Sequence, residues 1–263
     1  MITISSRNNR LIVDTVKLRD KKYRDECSLF FFEGKKLLHE AVSQGVNIVR
    51  IFLTPQNAHI ASSLPESVEK FLVTDEVYAK LTEEKSPEGI FSVAKHLDSL
   101  HIFATIYNGS SYERCLAAVS LRDPGNLGTL MRTSAALGLD CLLISADCAD
   151  IYNSKTVRAS MGAIFRLRTV RSTDICSTLS ALTQRGIVPM AACLSDNAST
   201  LGLSALPDNV CFVVGNEGHG LDQKVIDSCS GGQIIIPMEE GAESLNVSVA
   251  ASILLWEDRR RRL

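Results

Sequence analysis

Cys115-Leu116-Ala117-Ala118-Val119 runs within a few residues into Asp123-Pro124-Gly125-Asn126-Leu127-Gly128 and on to Arg132. A short apolar run, a Pro-Gly turn and a helical pattern through Leu137 read as strand, turn and helix, the repeating unit of a parallel α/β sheet. Further short apolar runs follow at Cys141-Leu142-Leu143-Ile144, Val188-Pro189-Met190-Ala191-Ala192, Cys211-Phe212-Val213-Val214 and Gln233-Ile234-Ile235-Ile236. The chain ends on helical spacing from about Leu245, where Val249, Ile253 and Trp256 share one face. Such a stripe marks core or a contact between subunits.

The first hundred residues carry a separate small α/β unit. It has a basic helix, strands near Leu29-Phe30-Phe31-Phe32, Ile48-Val49-Arg50-Ile51-Phe52-Leu53 and Gly89-Ile90-Phe91-Ser92-Val93-Ala94, a helix over 35–44 and another from about Asp75. Periodicity weakens between Lys95 and Tyr112, and Asn108-Gly109-Ser110-Ser111 has linker composition. The expected organisation is therefore residues 1–100, a linker at 101–112 and a second domain at 113–263.

At 263 residues and 45% apolar composition, real cores are possible and disorder is excluded as the dominant state. A formal net charge of -2 excludes polyanion binding by bulk charge, so any nucleic acid must meet a patch. The N-terminus offers one, with Arg7, Arg10, Lys21, Lys22, Arg24 and Lys35, and four arginines from Arg259 to Arg262 close the chain. The eight cysteines form no Cys-x-x-Cys pair and mostly sit in apolar runs, which reads as buried thiols in an intracellular, cytoplasmic protein. The five histidines show no metal-ligand spacing. No metal is expected, and no apolar run has the roughly 18 residues of a membrane span.

Three segments set polar side chains among glycines at strand-to-helix junctions. In the first, Asn126 stands where a helix cap is expected, and Arg132 has Gly128, Thr129, Ala135 and Ala136 around it, small residues that leave a guanidinium uncovered for a phosphate. The second, Gly215-Asn216-Glu217-Gly218-His219-Gly220-Leu221, is not the dinucleotide fingerprint, because its glycine order differs and Glu217 would repel a pyrophosphate. Gly215 there lets a flat ring or ribose lie against the backbone. The third runs from Ile236-Pro237-Met238 to Ser244-Leu245-Asn246-Val247, with Ser244 as the expected cap of the last helix and Asn246 in its first turn. In a parallel sheet all three fall at strand carboxyl ends, where open α/β sheets bind ligands.

Together, Asn126-x-Gly128-x-x-x-Arg132, the Gly215-Asn216-Glu217-Gly218 turn and the Ser244-Leu245-Asn246-Val247 helix start resemble the ordered motifs of SpoU-type (TrmH-like) RNA 2'-O-ribose methyltransferases of the SPOUT superfamily. The resemblance spans about Leu116 to Trp256. It implies a deep trefoil knot in the second domain, a homodimer, and S-adenosylmethionine held by three loops, with Gly215, Ile236 and Leu245 contacting it through backbone and Leu194, Asn216, Gly220 and Met238 nearby. The first hundred residues resemble the ribosomal-protein-like substrate-binding domain that many members carry, so the N-terminal basic residues are expected to meet RNA.

The implied reaction is methyl transfer to a ribose 2'-hydroxyl, most readily of ribosomal RNA. Family analogy makes Arg132 the base, but a guanidinium stays protonated in proteins. Arg132 is therefore expected to position a phosphate through which the proton leaves, with Asn126, Glu217, Ser244 and Asn246 holding ribose, arginine and loops in register. The competing readings are a tRNA 2'-O-methyltransferase, a base methyltransferase of the same superfamily, a non-catalytic RNA-binding or ribosome-assembly protein on this fold, and a nucleotide-dependent oxidoreductase, whose glycine fingerprint is missing.

Overall fold

The computed structural model describes residues 1–97, 114–216, 218–239, 241 and 243–263. The expected linker at 101–112 lies outside them. The chain forms two compact units. The first unites Met1–Leu97 with Asp150–Phe165, and the second unites the described residues up to Ala149 with Arg166–Leu263.

In the first unit the elements are β1 (Ile2–Ile4), α1 (Arg10–Val16), α2 (Lys21–Cys27), β2 (Leu29–Glu33), α3 (Lys35–Ser43), β3 (Ile48–Leu53), β4 (Glu69–Val73), α4 (Asp75–Leu81) and β5 (Ile90–Lys95). The sheet order is β1-β4-β3-β5-β2, with β1, β4 and β3 parallel and β5 antiparallel to both its neighbours. Strands β1 and β4 were not legible as apolar runs, since Ile2-Thr3-Ile4 and Glu69-Lys70-Phe71-Leu72-Val73 mix polar with apolar residues on one side of the sheet. Helices α1, α2 and α4 start on side-chain caps: Asn9 accepts from the amide of Leu11, Asp20 from Tyr23 and Thr74 from Val77.

A segment from the second half of the sequence completes this unit. Helix α6 (Ser154–Ala159) packs on β2, and Tyr152 stacks on His96 with ring centroids 4.1 Å apart and meets Phe30 in a tilted contact at 4.6 Å. Arg24 is 3% exposed and donates to Asp150 Oδ2 at 2.6 Å and to the carbonyls of Leu18 at 2.6 Å and Arg19 at 2.8 Å. Arg24 therefore leaves the set of cations expected to face RNA: a guanidinium buried in the interior and paired with Asp150 cannot also reach a phosphate.

The second unit comprises β6 (Cys115–Ala118), α5 (Pro124–Ala136), β7 (Cys141–Ser145), β8 (Thr169–Ser172), α7 (Ile175–Gln184), β9 (Val188–Ala192), β10 (Ser199–Thr200), β11 (Val210–Val214), α8 (Gln223–Asp227), β12 (Gln233–Ile235) and α9 (Val247–Arg260). Its sheet runs β10-β12-β9-β11-β6-β7-β8 with every pairing parallel, the α/β architecture that the apolar runs imply. Strands β6, β7 and β11 are buried along their whole length, as strands covered on both faces must be. Cys115 sits in register between Cys211 and Cys141, so three thiols cross the middle of the sheet. Burial pushes the Cys211 thiol well above its ordinary value and that of Cys229 up to about 12. All eight cysteines are free thiols.

Because the strands are parallel, the loops after β6, β9, β11 and β12 leave one edge of the sheet. The winding reverses between β6 and β11, since β6, β7 and β8 step outward one way while β11, β9 and β12 lie on the other side. Such a reversal opens a crevice at the carboxyl ends. Among the described residues no helix is long and apolar enough to cross a membrane.

Candidate active site

The first helix start differs from the expected one. Asp123 caps α5, its carboxylate accepting the Asn126 amide at 2.8 Å, and Pro124 takes the first helical position, where no amide hydrogen is needed. The Asn126 carboxamide thus serves elsewhere: its Oδ1 accepts from Asn246 Nδ2 at 3.2 Å. The last helix is corrected in the same way. Asn246 is the cap of α9, accepting the Ser248 amide at 3.0 Å, and Ser244 lies two residues earlier on an exposed approach. Asp-Pro was the available signal at the first site, since a proline one place inside a helix points to the residue before it as the cap.

A second tie was missed in the sequence. Ser248, 3% exposed, donates its hydroxyl to the Asn126 carbonyl at 2.9 Å, so the first turns of α5 and α9 are bonded through both side chain and backbone. Nothing in the spacing distinguishes Ser248 from any other small residue in a helix.

The second motif closes on itself and onto the first. Asn216 and Gly220 exchange backbone hydrogen bonds of 3.0 and 2.8 Å, and Asn216 Oδ1 accepts the Gly218 amide at 2.8 Å. Asn216 Nδ2 donates to the Ser120 carbonyl at 2.9 Å, in the loop that leads to α5. Both ends of this carboxamide and both backbone groups of Asn216 are engaged within the protein, so Asn216 builds the loop that walls the cavity. A Cβ on Gly215 would stand 2.4 Å from the Gly220 carbonyl carbon and oxygen. The glycine is required first by this close backbone approach within the loop. Glu217 lies outside the described residues.

These loops surround a cavity of about 510 Å³, within the range usual for small-molecule sites. Leu194, Gly215, Asn216, Gly220, Ile236, Met238, Ser244 and Leu245, drawn from separate loops, all line it. The ends of β9, β11 and β12 provide an apolar floor through Ala192, Val214, Ile234 and Ile235. The polar capacity is main-chain groups of the loops, the Ser244 hydroxyl, His219 and the Glu243 carboxylate, with no lysine or arginine among the described lining residues. This donor set fits S-adenosylmethionine: apolar walls suit its adenine, backbone groups its ring nitrogens, and the absence of fixed positive charge its sulfonium. Leu194 and Leu245 are 59% and 37% exposed, leaving ligand-sized apolar surface to be covered.

Asn126, Arg132 and Asn246 do not line the cavity. Asn246 stands between the lining residues Leu245 and Val247. Arg132 lies on the exposed face of α5, about 9 Å along the axis from Asn126, and among the described residues it has no ion-pair or hydrogen-bond partner. The expected constellation is thus brought together as a ligand cavity beside a polar node, with an accessible cation farther along the same helix. Among the described residues no group of three or more His, Cys, Asp or Glu is placed to hold a metal.

In the first unit Arg7, Arg10, Lys21, Lys22 and Lys35 are exposed. Arg10 faces Asp14 at 3.8 Å, Lys21 faces Asp25 at 2.5 Å and Lys22 faces Glu26 at 4.0 Å. Exposed pairs of this kind contribute little and open readily to a stronger anion. The C-terminal arginines are not a loose tail. Arg261 and Arg262 share the buried Asp258 at 2.7 and 3.1 Å, Arg260 pairs with Glu257 at 2.7 Å, and Arg259 donates to the Leu137 carbonyl at 3.2 Å.

Known proteins carry the same two parts. Residues 113–256 match the SpoU rRNA Methylase family, and residues 9–92 match the MRM3-like substrate binding domain. The chain is 30% identical over 98% of its length, and 100% of the relative's, to the 23S rRNA (guanosine(2553)-2'-O)-methyltransferase RlmP of Bacillus subtilis. It is 27% identical to the mitochondrial rRNA methyltransferase 3A of Danio rerio over 97% of this chain and 69% of that one. The crystal structure of AdoMet-bound rRNA methyltransferase from Sinorhizobium meliloti superposes with a TM-score of 0.88 at 27% identity, covering 99% of this chain and 98% of that one. Motifs, sheet, cavity and relatives agree, and the chain belongs to the SpoU rRNA methylase family.

Proposed function

We propose that this protein transfers a methyl group from S-adenosylmethionine to a ribose 2'-hydroxyl of large-subunit ribosomal RNA, as a homodimer in the cytoplasm. The observation that carries the reading is the pair of ties across the second unit. Asn246 to Asn126 and Asn216 to Ser120 join loops 120 and 96 residues apart around one cavity whose lining suits the cofactor. The named activity of the Bacillus subtilis relative, which spans the whole chain, supports ribosomal RNA as the substrate.

S-adenosylmethionine supplies an electrophilic methyl carbon on a positively charged sulfur. Gly215, Ile236 and Leu245 would hold it by backbone, and the apolar strand ends would exclude water. Arg132 clamps a phosphate next to the target ribose, the geometry for which a planar guanidinium is suited. That phosphate would take the 2'-hydroxyl proton, and the cofactor would supply the methyl group to the 2'-oxygen, its sulfur leaving as the neutral thioether of S-adenosylhomocysteine. Asn126 and Asn246 tie the two helix starts together, and Ser244 lines the cavity beside them. Exposed Arg7, Arg10, Lys21, Lys22 and Lys35 supply sequence-independent attraction to the RNA backbone.

The dimer rests on the apolar stripe of α9: Val249, Ile253 and Trp256 are 47%, 36% and 49% exposed and serve no core within one chain. A knotted C-terminal end is part of the same reading, supported by β12 pairing between β9 and β10 before the chain returns to lay α9 on α5. Eight free thiols favour a reducing compartment.

The test is methyl transfer from labelled S-adenosylmethionine to ribosomal RNA, with ribose methylation mapped along both subunits' RNA. Arg132→Lys should keep cofactor affinity and lower turnover at least about 100-fold, the scale of a misplaced reacting group. Unchanged turnover, or label found on a base or on transfer RNA, sinks the proposal.

A further inference from the structure

The loop that precedes the first motif is held in a conformation its residues do not favour. Ser120 has φ of 55°, the left-handed region that residues with a Cβ rarely adopt, and it lies in the turn between β6 and the start of α5. Such outliers persist only where the surroundings over-determine them. Here they do. The Ser120 amide donates to Ser145 Oγ at 2.8 Å and its carbonyl accepts Asn216 Nδ2 at 2.9 Å. The Leu121 amide meets Cys148 Sγ at 3.3 Å, and the Leu121 carbonyl accepts the Ala149 amide at 2.8 Å.

One hydroxyl sits at the centre of this arrangement. Ser145, 5% exposed at the carboxyl end of β7, accepts from Ser120 and donates to Asp147 Oδ1 at 2.6 Å. Hydrogen bonds from Ser120 and Ser145 hold the Asp147 carboxyl below its ordinary range, and Arg122 stands 3.8 Å away. No residue of β7 lines the cavity, yet the strand dictates where the loop from β6 turns and hence where α5 begins.

We infer that Ser145, with Asp147 behind it, is a positioning residue for methyl transfer: it locks the strained turn at Ser120 so that α5 presents Asn126 and Arg132 in reacting register. This inference rests on the proposed 2'-O-methyl transfer and assigns Ser145 no contact with RNA or cofactor. Buried polar ties of this kind hold a site to the tolerance that reaction needs, and a displacement near about 1 Å lowers turnover about 100-fold.

The experiment compares wild type, Ser145→Ala and Ser145→Thr for kcat and KM on ribosomal RNA, S-adenosylmethionine affinity by calorimetry, and thermal midpoint. Ser145→Ala should lower kcat about 10- to 100-fold while cofactor affinity stays within about twofold, and Ser145→Thr, which keeps the hydroxyl, should recover most of kcat. Ser120→Gly, which adopts positive φ without strain, should keep or raise the midpoint and lower kcat by loosening the turn. The inference is overturned if Ser145→Ala turns over like wild type, if its loss of kcat tracks a parallel loss of cofactor affinity, or if Ser145→Thr fails to recover while remaining folded. Failure of the wild type itself to methylate ribosomal RNA is a different result and refutes the proposed function.

Discussion

Replacing Gly215 by alanine should damage cofactor binding through the loop's own backbone rather than through contact with the ligand. The added Cβ would meet the Gly220 carbonyl carbon and oxygen at 2.4 Å and the Leu221 nitrogen at 2.7 Å. Carbon contacts settle at about 3.5–4.0 Å, so the two sides of the loop must separate by about 1 Å. None of the offending atoms belongs to a side chain that can rotate away. The exchange between Asn216 and Gly220, at 3.0 and 2.8 Å, is then lost. Two such bonds contribute about 1 kcal/mol each, and forcing a methyl into a packed site costs about 1–3 kcal/mol, for about 3–5 kcal/mol in all. If the loop opens to relieve this, the closed form that shapes the cavity must be recovered on binding, and about 3 kcal/mol corresponds to a dissociation constant raised more than about 100-fold. Calorimetric titration with S-adenosylmethionine and a thermal melt read both routes. A Gly215→Ala variant that binds with wild-type affinity and melts within about 1 °C of wild type would refute the claim that this close approach builds the cofactor wall.

Other parts of the molecule make independent predictions. Asp150→Ala leaves the Arg24 guanidinium buried with only the Leu18 and Arg19 carbonyls, and should destabilise the first unit by about 3–5 kcal/mol in denaturant unfolding; a change below about 1 kcal/mol contradicts that account. Trp256→Glu places a charge in the exposed stripe of α9 and should shift the protein to monomer in sedimentation, whereas an unaltered oligomeric state removes this face from the interface. Burial, the largest influence, raises the Glu33 carboxyl above its ordinary value despite bonds from Thr82, Glu83 and Tyr78. A folded-state value above the unfolded one means that the protonated form is favoured by folding. This contribution is complete below the ordinary carboxylate range and is lost as pH rises through the raised value. Thermal midpoints measured across that window should fall with rising pH for wild type and fall less for Glu33→Gln; identical profiles would show that Glu33 does not titrate differently on folding.

How much was legible varied with the kind of signal. The buried strands β6, β7, β9, β11 and β12 announce themselves as apolar runs, because a strand covered on both faces has no polar alternation to hide it. Strands β1, β4, β8 and β10 do not, because polar residues such as Thr3, Glu69, Lys70, Arg171 and Ser199 leave them without an apolar run. The residues that the family resemblance assigns to the cofactor, Gly215, Ile236, Leu245, Leu194, Asn216, Gly220 and Met238, all line one cavity. The caps were displaced, with Asp123 in place of Asn126 and Asn246 in place of Ser244, because several residues in each turn had suitable side chains and only backbone geometry chooses among them. Arg24 carries the same charge as its exposed neighbours Lys21 and Lys22, and nothing in the sequence shows that Asp150 waits for it 126 positions away.

The sequence by itself determined a parallel α/β domain with glycine-containing loops at its strand ends, because hydrophobic period and backbone permissiveness are local properties of neighbouring residues. Which polar groups meet was decided only by the tertiary structure. Asn126 finds Asn246, Asn216 finds Ser120 and Ser145 holds a strained turn because parallel strands, far apart in the chain, deliver their loops to one edge. A hydrogen bond requires about 3 Å and a fixed angle, and no spacing along a chain specifies either across such separations.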